Sequence, residues 1–347
     1  MSFRFALLAA PLLLACGGAV SPEPTAEATP PERSAPTARA LPSGTSTVSS
    51  AGNHVCALDP AGAVFCWGVN EWGQVAPGAG PLVEAARRID APYTYRRIAA
   101  GLQTSCGIRI DGTLHCWGLD RGQLLGASTG SAEHPTARPP VRVGVESDWE
   151  EIAVGMGALC GIRGGGRLFC WGQLDWGAGG VAPIETAPGH AFREVSLHYY
   201  GAVALDSLGQ VFYADFAGDA HPFAYAPELS RAQHVAMGIF ELLTVSQDGA
   251  VTMLKAGAPP ERAAGAFASV AGAYNRCAVS LAGELLCQET RHATAAHLSL
   301  ARRVVGSDWT QVAVGMGQVC AAKKDGTVWC LDVKDDAFGD GPPRRML

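Results

Sequence analysis

The chain has 347 residues, of which 48% are hydrophobic and 17% are charged, and its formal net charge is −6. A chain of this length can bury a sizeable hydrophobic core. Nucleic-acid binding requires a concentration of positive charge, and the sequence has no basic cluster and no basic tail. Composition and charge therefore indicate a globular protein without a nucleic-acid partner.

The amino-terminal segment has the features of an export signal. Arg4 precedes an apolar run over residues 5–15, which is too short to span a bilayer. The run ends in Leu13-Leu14-Ala15-Cys16, which resembles the lipobox of bacterial lipoproteins. The resemblance implies that residues 1–15 are a lipoprotein signal peptide and that Cys16 is lipidated; ordinary cleavage with loss of Cys16 is the alternative. Since no aspartate follows Cys16, it also implies the outer rather than the inner membrane of a bacterial cell envelope.

Residues 16–44 form the next segment, which is rich in Pro, Ala, Glu, Thr and Ser from residue 19 onward. Such a composition has too few large apolar side chains to repay the entropy of ordering, and proline-rich stretches act as extended spacers. The segment is therefore predicted to be a disordered tether between a lipid anchor and a domain over residues 45–347.

Ten of the eleven cysteines form five pairs with one spacing. Nine residues separate the partners of each pair, and a glycine follows the first cysteine by six residues. In a hairpin with this glycine in its turn, the two cysteines lie on opposed strand positions about 4.5–5.5 Å apart, which a disulfide can bridge. The predicted disulfides are Cys56–Cys66, Cys106–Cys116, Cys160–Cys170, Cys277–Cys287 and Cys320–Cys330.

Two further hairpins, around Gly209 and Gly249, have the same frame without cysteine. The pairs in place of cysteine are Val203/Tyr213 and Leu243/Met253. Because both partners are replaced together, the cysteines behave as bonded pairs. Zinc is the alternative, but structural zinc sites favour ligands two to four residues apart, and two thiolates cannot close a site. The pattern therefore predicts disulfides in an oxidising compartment, with no metal and no cofactor.

Aligned on the turn glycines, the chain contains seven units spaced by 34 to 54 residues. Each unit has a short apolar strand, a hairpin and a further strand, and no segment has sustained helical periodicity. Repeats of this length predict an all-β fold, a seven-bladed β-propeller, with a linear solenoid as the alternative. The tail at residues 341–344 is a candidate for the outer strand of the last blade.

The units resemble the regulator of chromosome condensation repeat. The first unit carries His54, Ala57, Leu58, Gly62, Val64, Trp67, Gly68, Asn70, Gly73 and Gln74 in the order of that repeat. The resemblance extends over about residues 45–347 and is strongest in the first three units. It implies a seven-bladed propeller. Nuclear members of the family act as guanine-nucleotide exchange factors, which is not expected of an exported chain.

The sequence favours a binding module without catalysis, because nothing in it resembles a nucleophile elbow, a phosphate loop or a metalloprotease helix. In a propeller blade, the loops after the first and third strands share one face. Candidate ligand-binding residues on these loops are Asn53, His54, Trp72, Gln103, Trp176, Tyr199, Tyr200, Phe240 and Tyr274. Aromatic side chains are enriched at protein interfaces, and packing between blades is the alternative for each.

The expected partner is an extracytoplasmic protein or glycan of unidentified nature, bound by a monomer whose membrane contact is the lipid anchor only. The alternative is a propeller hydrolase or lyase at the cell surface. Buried carboxylates with perturbed pKa values at the ring axis would favour the enzyme.

Overall fold

The computed structural model describes residues 47–120, 124–125, 139–173, 180, 182–199, 201–215, 223–255, 257–273, 275–288, 298–300, 302–334, 337–338 and 342–347. The predicted signal peptide, Cys16 and the whole predicted tether lie outside this part, as do Trp176, Tyr200 and Tyr274. Within the described part, the regular elements are β-strands and one short 3-10 helix, Pro227–Leu229. None of these elements is a helix long and apolar enough to cross a membrane.

The strands form seven antiparallel sheets, each built from consecutive strands, and these are the seven blades of a propeller. Blade 1 contains β1 (Thr47–Ser49), β2 (His54–Leu58), β3 (Val64–Val69) and β4 (Leu82–Ile89). Blade 2 contains β5 (Tyr95–Ala100), β6 (Thr104–Arg109), β7 (Leu114–Gly118) and β8 (Val141–Arg142). Blade 3 contains β9 (Trp149–Val154), β10 (Ala158–Arg163), β11 (Arg167–Gly172) and β12 (Ile184–Glu185). Blade 4 contains β13 (Phe192–Leu197), β14 (Gly201–Asp206), β15 (Val211–Asp215) and β16 (Ala224–Tyr225).

The remaining three blades complete the ring. Blade 5 contains β17 (Ala232–Met237), β18 (Glu241–Ser246), β19 (Val251–Lys255) and β20 (Glu261–Ala263). Blade 6 contains β21 (Phe267–Gly272), β22 (Arg276–Ser280), β23 (Leu285–Gln288) and β24 (Arg302–Val304). Blade 7 contains β25 (Trp309–Val314), β26 (Gln318–Lys323), β27 (Val328–Lys334), β28 (Ala337–Phe338) and β29 (Arg344–Arg345). The predicted all-β, seven-bladed propeller is confirmed.

All five predicted disulfides are present, each joining the second and third strands of one blade. The two cysteines of every pair are directly opposed in the strand register. Val203 opposes Tyr213 and Leu243 opposes Met253 in blades 4 and 5, as the shared frame predicted. The disulfides therefore hold the middle of a blade and do not connect different blades.

Neighbouring blades are connected by a repeated backbone hydrogen bond. The first residue of blades 2 to 7 donates its N–H to the carbonyl of the turn glycine in the preceding blade. The pairs are Tyr95–Gly62 (2.8 Å), Trp149–Gly112 (3.2 Å), Phe192–Gly166 (2.8 Å), Ala232–Gly209 (3.1 Å), Phe267–Gly249 (2.9 Å) and Trp309–Gly283 (3.1 Å). The turn glycine therefore belongs to the packing between blades as well as to its own hairpin.

The ring closes where blade 7 packs against blade 1. The Val48 N–H donates to Gln311 Oε1 over 3.0 Å, and the Trp67 indole N–H donates to Gln318 Oε1 over 3.3 Å. A shared core cluster joins both blades and includes Met346 and Leu347 from the tail. In the tail, Arg344 and Arg345 pair with β27, so this segment supplies an outer strand of blade 7.

Candidate functional site

The propeller has two distinct ends. One, the loop face, carries the loops between the first and second strands and between the third and fourth strands of each blade. The other, the hairpin face, carries the turns between the second and third strands and the connections between blades. The first strand of each blade lines the axis between them, where a cavity of about 200 Å³ is lined by all seven blades.

A ring of polar side chains, the axial belt, occupies one equivalent position in the first strand of every blade. Each member pairs in register with the second-strand residue four positions before the turn glycine. The members are Thr47, Arg97, Glu151, Glu194, His234, Ser269 and Gln311. Sequence reasoning missed this belt, although a polar residue before each apolar first-strand core was visible in the repeats.

Four members of the axial belt form one Arg–Glu ion pair and one His–Glu contact across four consecutive blades. Arg97 Nε lies 3.0 Å from Glu151 Oε2, and His234 Nδ1 contacts Glu194 Oε1. Burial raises the pKa of Glu151, Arg97 acts in the opposite direction, and the charge of Glu194 adds to the rise. These side chains keep 19–27% of their surface accessible, so the pairs face the solvent of the cavity.

Other polar side chains of the first strands connect blades in the same way. Gln311 Oε1 accepts the N–H of Val48, and Ser49 Oγ accepts the N–H of Ala100 over 3.0 Å. Ser196 Oγ accepts the N–H of Met237 over 3.0 Å. The inner edge of each sheet would otherwise expose unpaired amides. The polar lining of the axis is therefore explained largely by contacts between blades.

The loop of blade 4 spans the axis at the loop face. His198 is buried, its Nδ1 accepts the Tyr199 N–H over 2.9 Å, and burial lowers its pKa to about 4. The Tyr199 hydroxyl donates to Met316 Sδ of blade 7 over 3.6 Å. Because blade 4 thereby contacts the opposite side of the ring, the cavity is crossed by side chains at this end.

Eight of the nine predicted contact residues fall into three groups. Asn53 and Phe240 are exposed on the loop face, Phe240 by 54%. Trp72, Gln103 and Tyr199 are half-buried on the same face, and Tyr199 contacts Met316. The third group, Trp176, Tyr200 and Tyr274, lies outside the described residues.

His54 does not have the exposed position expected of a ligand contact. Its side chain is fully buried, and Nε2 lies 2.7 Å from Ser105 Oγ in blade 2. Ser105 Oγ in turn donates to the Gln74 carbonyl over 2.8 Å. His54 begins β2 at the interface of blades 1 and 2, and packing between blades is its role in this structure.

The described residues contain no group of three or more His, Cys, Asp or Glu side chains placed to hold a metal ion. The loop face carries polar and aromatic side chains on a ring that contains disulfides. The contact between Tyr199 and Met316 crosses the axis at this end.

Comparisons with known proteins agree with this architecture. The Regulator of chromosome condensation (RCC1) repeat matches residues 95–123. The human E3 ubiquitin-protein ligase HERC2 is 26% identical in an alignment of 234 positions that covers 59% of this chain and 5% of that protein. The Caenorhabditis elegans homolog of the X-linked retinitis pigmentosa GTPase regulator is 25% identical in an alignment of 195 positions that covers 52% of this chain and 14% of that protein. This chain thus spans only a small part of these relatives.

Solved structures show the same fold at low sequence identity. Prp20p from Saccharomyces cerevisiae superposes with a TM-score of 0.65 at 14% identity, covering 82% of this chain and 85% of that one. The CRINKLY WD40 ectodomain of the Arabidopsis thaliana receptor kinase ACR4 superposes with a TM-score of 0.57 at 16% identity, covering 88% and 99%. Residues 95–123 thus match one regulator of chromosome condensation repeat, and the described ring of blades has the fold of these solved structures.

Proposed function

We propose that the chain is a lipid-anchored binding module of the bacterial cell envelope, whose loop face engages an extracytoplasmic protein, with a glycan as the second choice of partner. The observation that carries this proposal is the loop face itself, where exposed Phe240 and Asn53 stand on a ring braced by disulfides. Large aromatic side chains on a rigid support are typical of interface anchors. The solved Prp20p structure is described together with its binding to Gsp1p and histones, a precedent for protein binding by this fold.

The anchor in this proposal rests on the sequence around Cys16. Cys16→Ser should abolish labelling of the exported protein by a radioactive fatty acid, because the acylated thiol is gone. Acyl labelling that survives the substitution would remove the anchor from the proposal. The tether over residues 16–44 separates Cys16 from the first described strand, so partner binding should persist in this variant.

A surface hydrolase or lyase is the second candidate, and the raised pKa of Glu151 at the axis favours it. Two observations count against it. Glu151 and Glu194 each have a cationic or titratable partner at the equivalent position of a neighbouring blade, and His198 and Tyr199 cross the axis at the loop face. An enzyme acting through Glu151 would lose all turnover in Glu151→Gln, whereas partner binding on the loop face would not change.

The binding face is tested by one substitution on each face. The exported protein is used to capture a partner from envelope extract, the partner is purified, and its affinity for Phe240→Ala and Leu208→Ala is measured. Leu208 is the control because it is 77% exposed on the hairpin face. Truncation of an interface anchor costs more than about 2 kcal/mol, so Phe240→Ala should weaken binding by roughly 30-fold. Equal affinity of the two variants, or a loss in Leu208→Ala alone, would contradict the proposed face.

A further inference from the structure

The most exposed large apolar side chains of the described residues share one face. Ile110, Val145, Leu208, Leu281 and Val305 are exposed by 69%, 85%, 77%, 71% and 81%, and all five lie on the hairpin face. The other exposed large apolar side chains, on either face and on the outer strands, reach only 37–56%. A soluble surface has no need for its most exposed aliphatic groups to lie at one end of the molecule.

These five side chains, the aliphatic tips, lie in short turns and connections at the hairpin face. Ile110, Leu208 and Leu281 lie in the turns of alternate blades, 2, 4 and 6. Each turn is closed by a backbone hydrogen bond from its glycine, such as Gly209 N to Asp206 O over 3.2 Å. Val145 and Val305 lie in the connections that follow blades 2 and 6. The tips are therefore distributed around the ring rather than gathered in one groove, which suits a flat partner.

The chain enters the ring at this same face. Thr47, the first described residue, pairs with Leu58 at the end of β2, directly before the turn of blade 1. Thr47, through which all preceding residues are covalently joined to the propeller, therefore lies at the hairpin face. Of the two faces, this one is joined directly to the predicted anchor.

We propose that the hairpin face lies against the lipid bilayer, with the five aliphatic tips in the headgroup region. This inference rests on the lipid anchor of the proposed function. Burial of apolar area gives a favourable but small energy for each tip. A tether raises the effective concentration of the membrane, so a weak contact is sufficient to orient the domain. The loop face then points away from the membrane and is open to a partner.

The charged side chains of the hairpin face are mostly acidic, so its contact with the bilayer depends on the apolar side chains. Its turns carry one cation, Lys324, and five carboxylates, which are Asp59, Asp111, Asp248, Glu284 and Asp325. Hydrogen bonds from Thr113 lower the pKa of Asp111, so it keeps its charge at neutral pH. Attraction to anionic headgroups therefore supplies little of the energy, and seating should change little with salt concentration or with the fraction of anionic lipid.

The experiment places an environment-sensitive fluorophore on each face of the acylated protein in phosphatidylcholine vesicles that contain a spin-labelled lipid. Leu208→Cys carries the probe on the hairpin face and Phe240→Cys carries it on the loop face. We expect the probe at position 208 to be quenched at least threefold more than the probe at position 240. Replacing Ile110, Val145, Leu281 and Val305 with Ser should remove that difference. Equal quenching of the two probes in acylated protein would overturn the inference and leave the proposed function standing.

Failure of the anchor is distinguished by a parallel measurement. Fatty-acid labelling of the same preparation reports whether Cys16 is acylated. The Cys16→Ser chain carrying the probe at position 208 is then titrated with excess vesicles, which tests the tips without an anchor. If no acyl group is found, saturable quenching at position 208 supports the inference, and an absence of quenching at any vesicle concentration rejects it.

Discussion

His54 shows how the stability of the folded chain can depend on the protonation state of a single buried side chain. Because Ser105 Oγ donates to the Gln74 carbonyl, it accepts from His54 Nε2, and the imidazole is the neutral Nε2–H form. The other nitrogen, Nδ1, is buried without a hydrogen-bond partner. A second proton on Nδ1 would therefore be buried without an acceptor, and burial lowers the pKa of His54 to about 3.

This imidazole predicts a loss of stability in mild acid. His54 is neutral in the folded chain down to pH about 3, whereas in the unfolded chain it takes up a proton near pH 6.5. Its contribution is complete above pH 6.5 and is lost as the pH falls toward 3, by about 1 kcal/mol for each pH unit. His54→Gln keeps the donor to Ser105 and removes the titration. Urea unfolding between pH 7 and 5 should show a weaker pH dependence in this variant; an unchanged slope would refute the assignment.

Gly112 combines a positive φ with a close contact between blades. Its φ is +81°, and a Cβ atom there would lie 2.0 Å from the Ser147 carbonyl oxygen. Gly165 has a φ of +80° with nothing within 4 Å of the same position, so it is a matched control. Gly165→Ala should cost about 1 kcal/mol for the left-handed backbone alone, whereas Gly112→Ala should cost roughly 3 kcal/mol or more. Thermal unfolding measures the difference, and equal losses would show that the contact is easily relieved.

Between elements, blades 5 and 6 are joined by a buried ion pair. Arg276 Nε lies 2.9 Å from Glu241 Oε1, and both side chains are 2% exposed. Glu241 has in β18 the register position that His54 has in β2, and Arg276 has in β22 the position that Ser105 has in β6. The same pair of interface positions thus carries a neutral hydrogen bond between blades 1 and 2 and a charge pair between blades 5 and 6.

Replacing one partner of this ion pair should lower the free energy of unfolding much more than replacing both partners. Glu241→Gln leaves the Arg276 guanidinium buried without a counterion, which should cost about 3–5 kcal/mol. The double variant Glu241→Leu, Arg276→Met removes both charges and keeps a similar side-chain volume. Its free energy of unfolding should lie within about 1 kcal/mol of that of the natural chain. Urea denaturation at neutral pH compares the two. A double variant as unstable as the single one would show that the charges specify the packing of these blades.

The hairpins could be predicted from the sequence because their determinants are local. Cys160 and Cys170 are ten residues apart, and the turn glycine between them fixes the register. The partner of Glu241 could not be predicted, since Arg276 lies 35 residues away on another blade and the spacing of the units varies. For the same reason the sequence predicts His54 as a ligand contact on a loop. Its partner Ser105 lies 51 residues further along the chain, on another blade, and could not be predicted.

At the scale of the whole molecule, the interface between blades 7 and 1 is the one within the described ring that the chain does not cross. Gln311→Ala removes the side-chain acceptor for Val48 at this interface, and Ser196→Ala removes the side-chain acceptor for Met237 between blades 4 and 5. Each loses one hydrogen bond, worth about 1 kcal/mol. The covalent connection limits opening between blades 4 and 5, so hydrogen exchange of β1 and β25 in Gln311→Ala should accelerate more than that of β13 and β17 in Ser196→Ala. Equal acceleration would mean that closure adds no weakness.

The number of blades could be predicted because the repeat occurs seven times in the sequence. The side-chain contacts at the axis could not be predicted. Tyr199 and Met316, which meet across it, are 117 residues apart and belong to units whose motifs differ. The axial belt is composed of seven polar side chains of six different types, and their proximity follows only from ring closure. The candidate site was therefore predicted as a face with several of its residues, and not as an arrangement.

The hydrogen bond from each new blade to the preceding turn glycine also bears on how the chain matures during vectorial synthesis or export. The hairpins of blades 1 to 6 emerge before the residues that complete them, as Gly62 emerges before Tyr95. Blade 1 is completed last, because the acceptor of its Val48 amide is Gln311 of the final blade. The inner edge of the first blade therefore stays open to chaperones and proteases until synthesis of the chain is nearly complete.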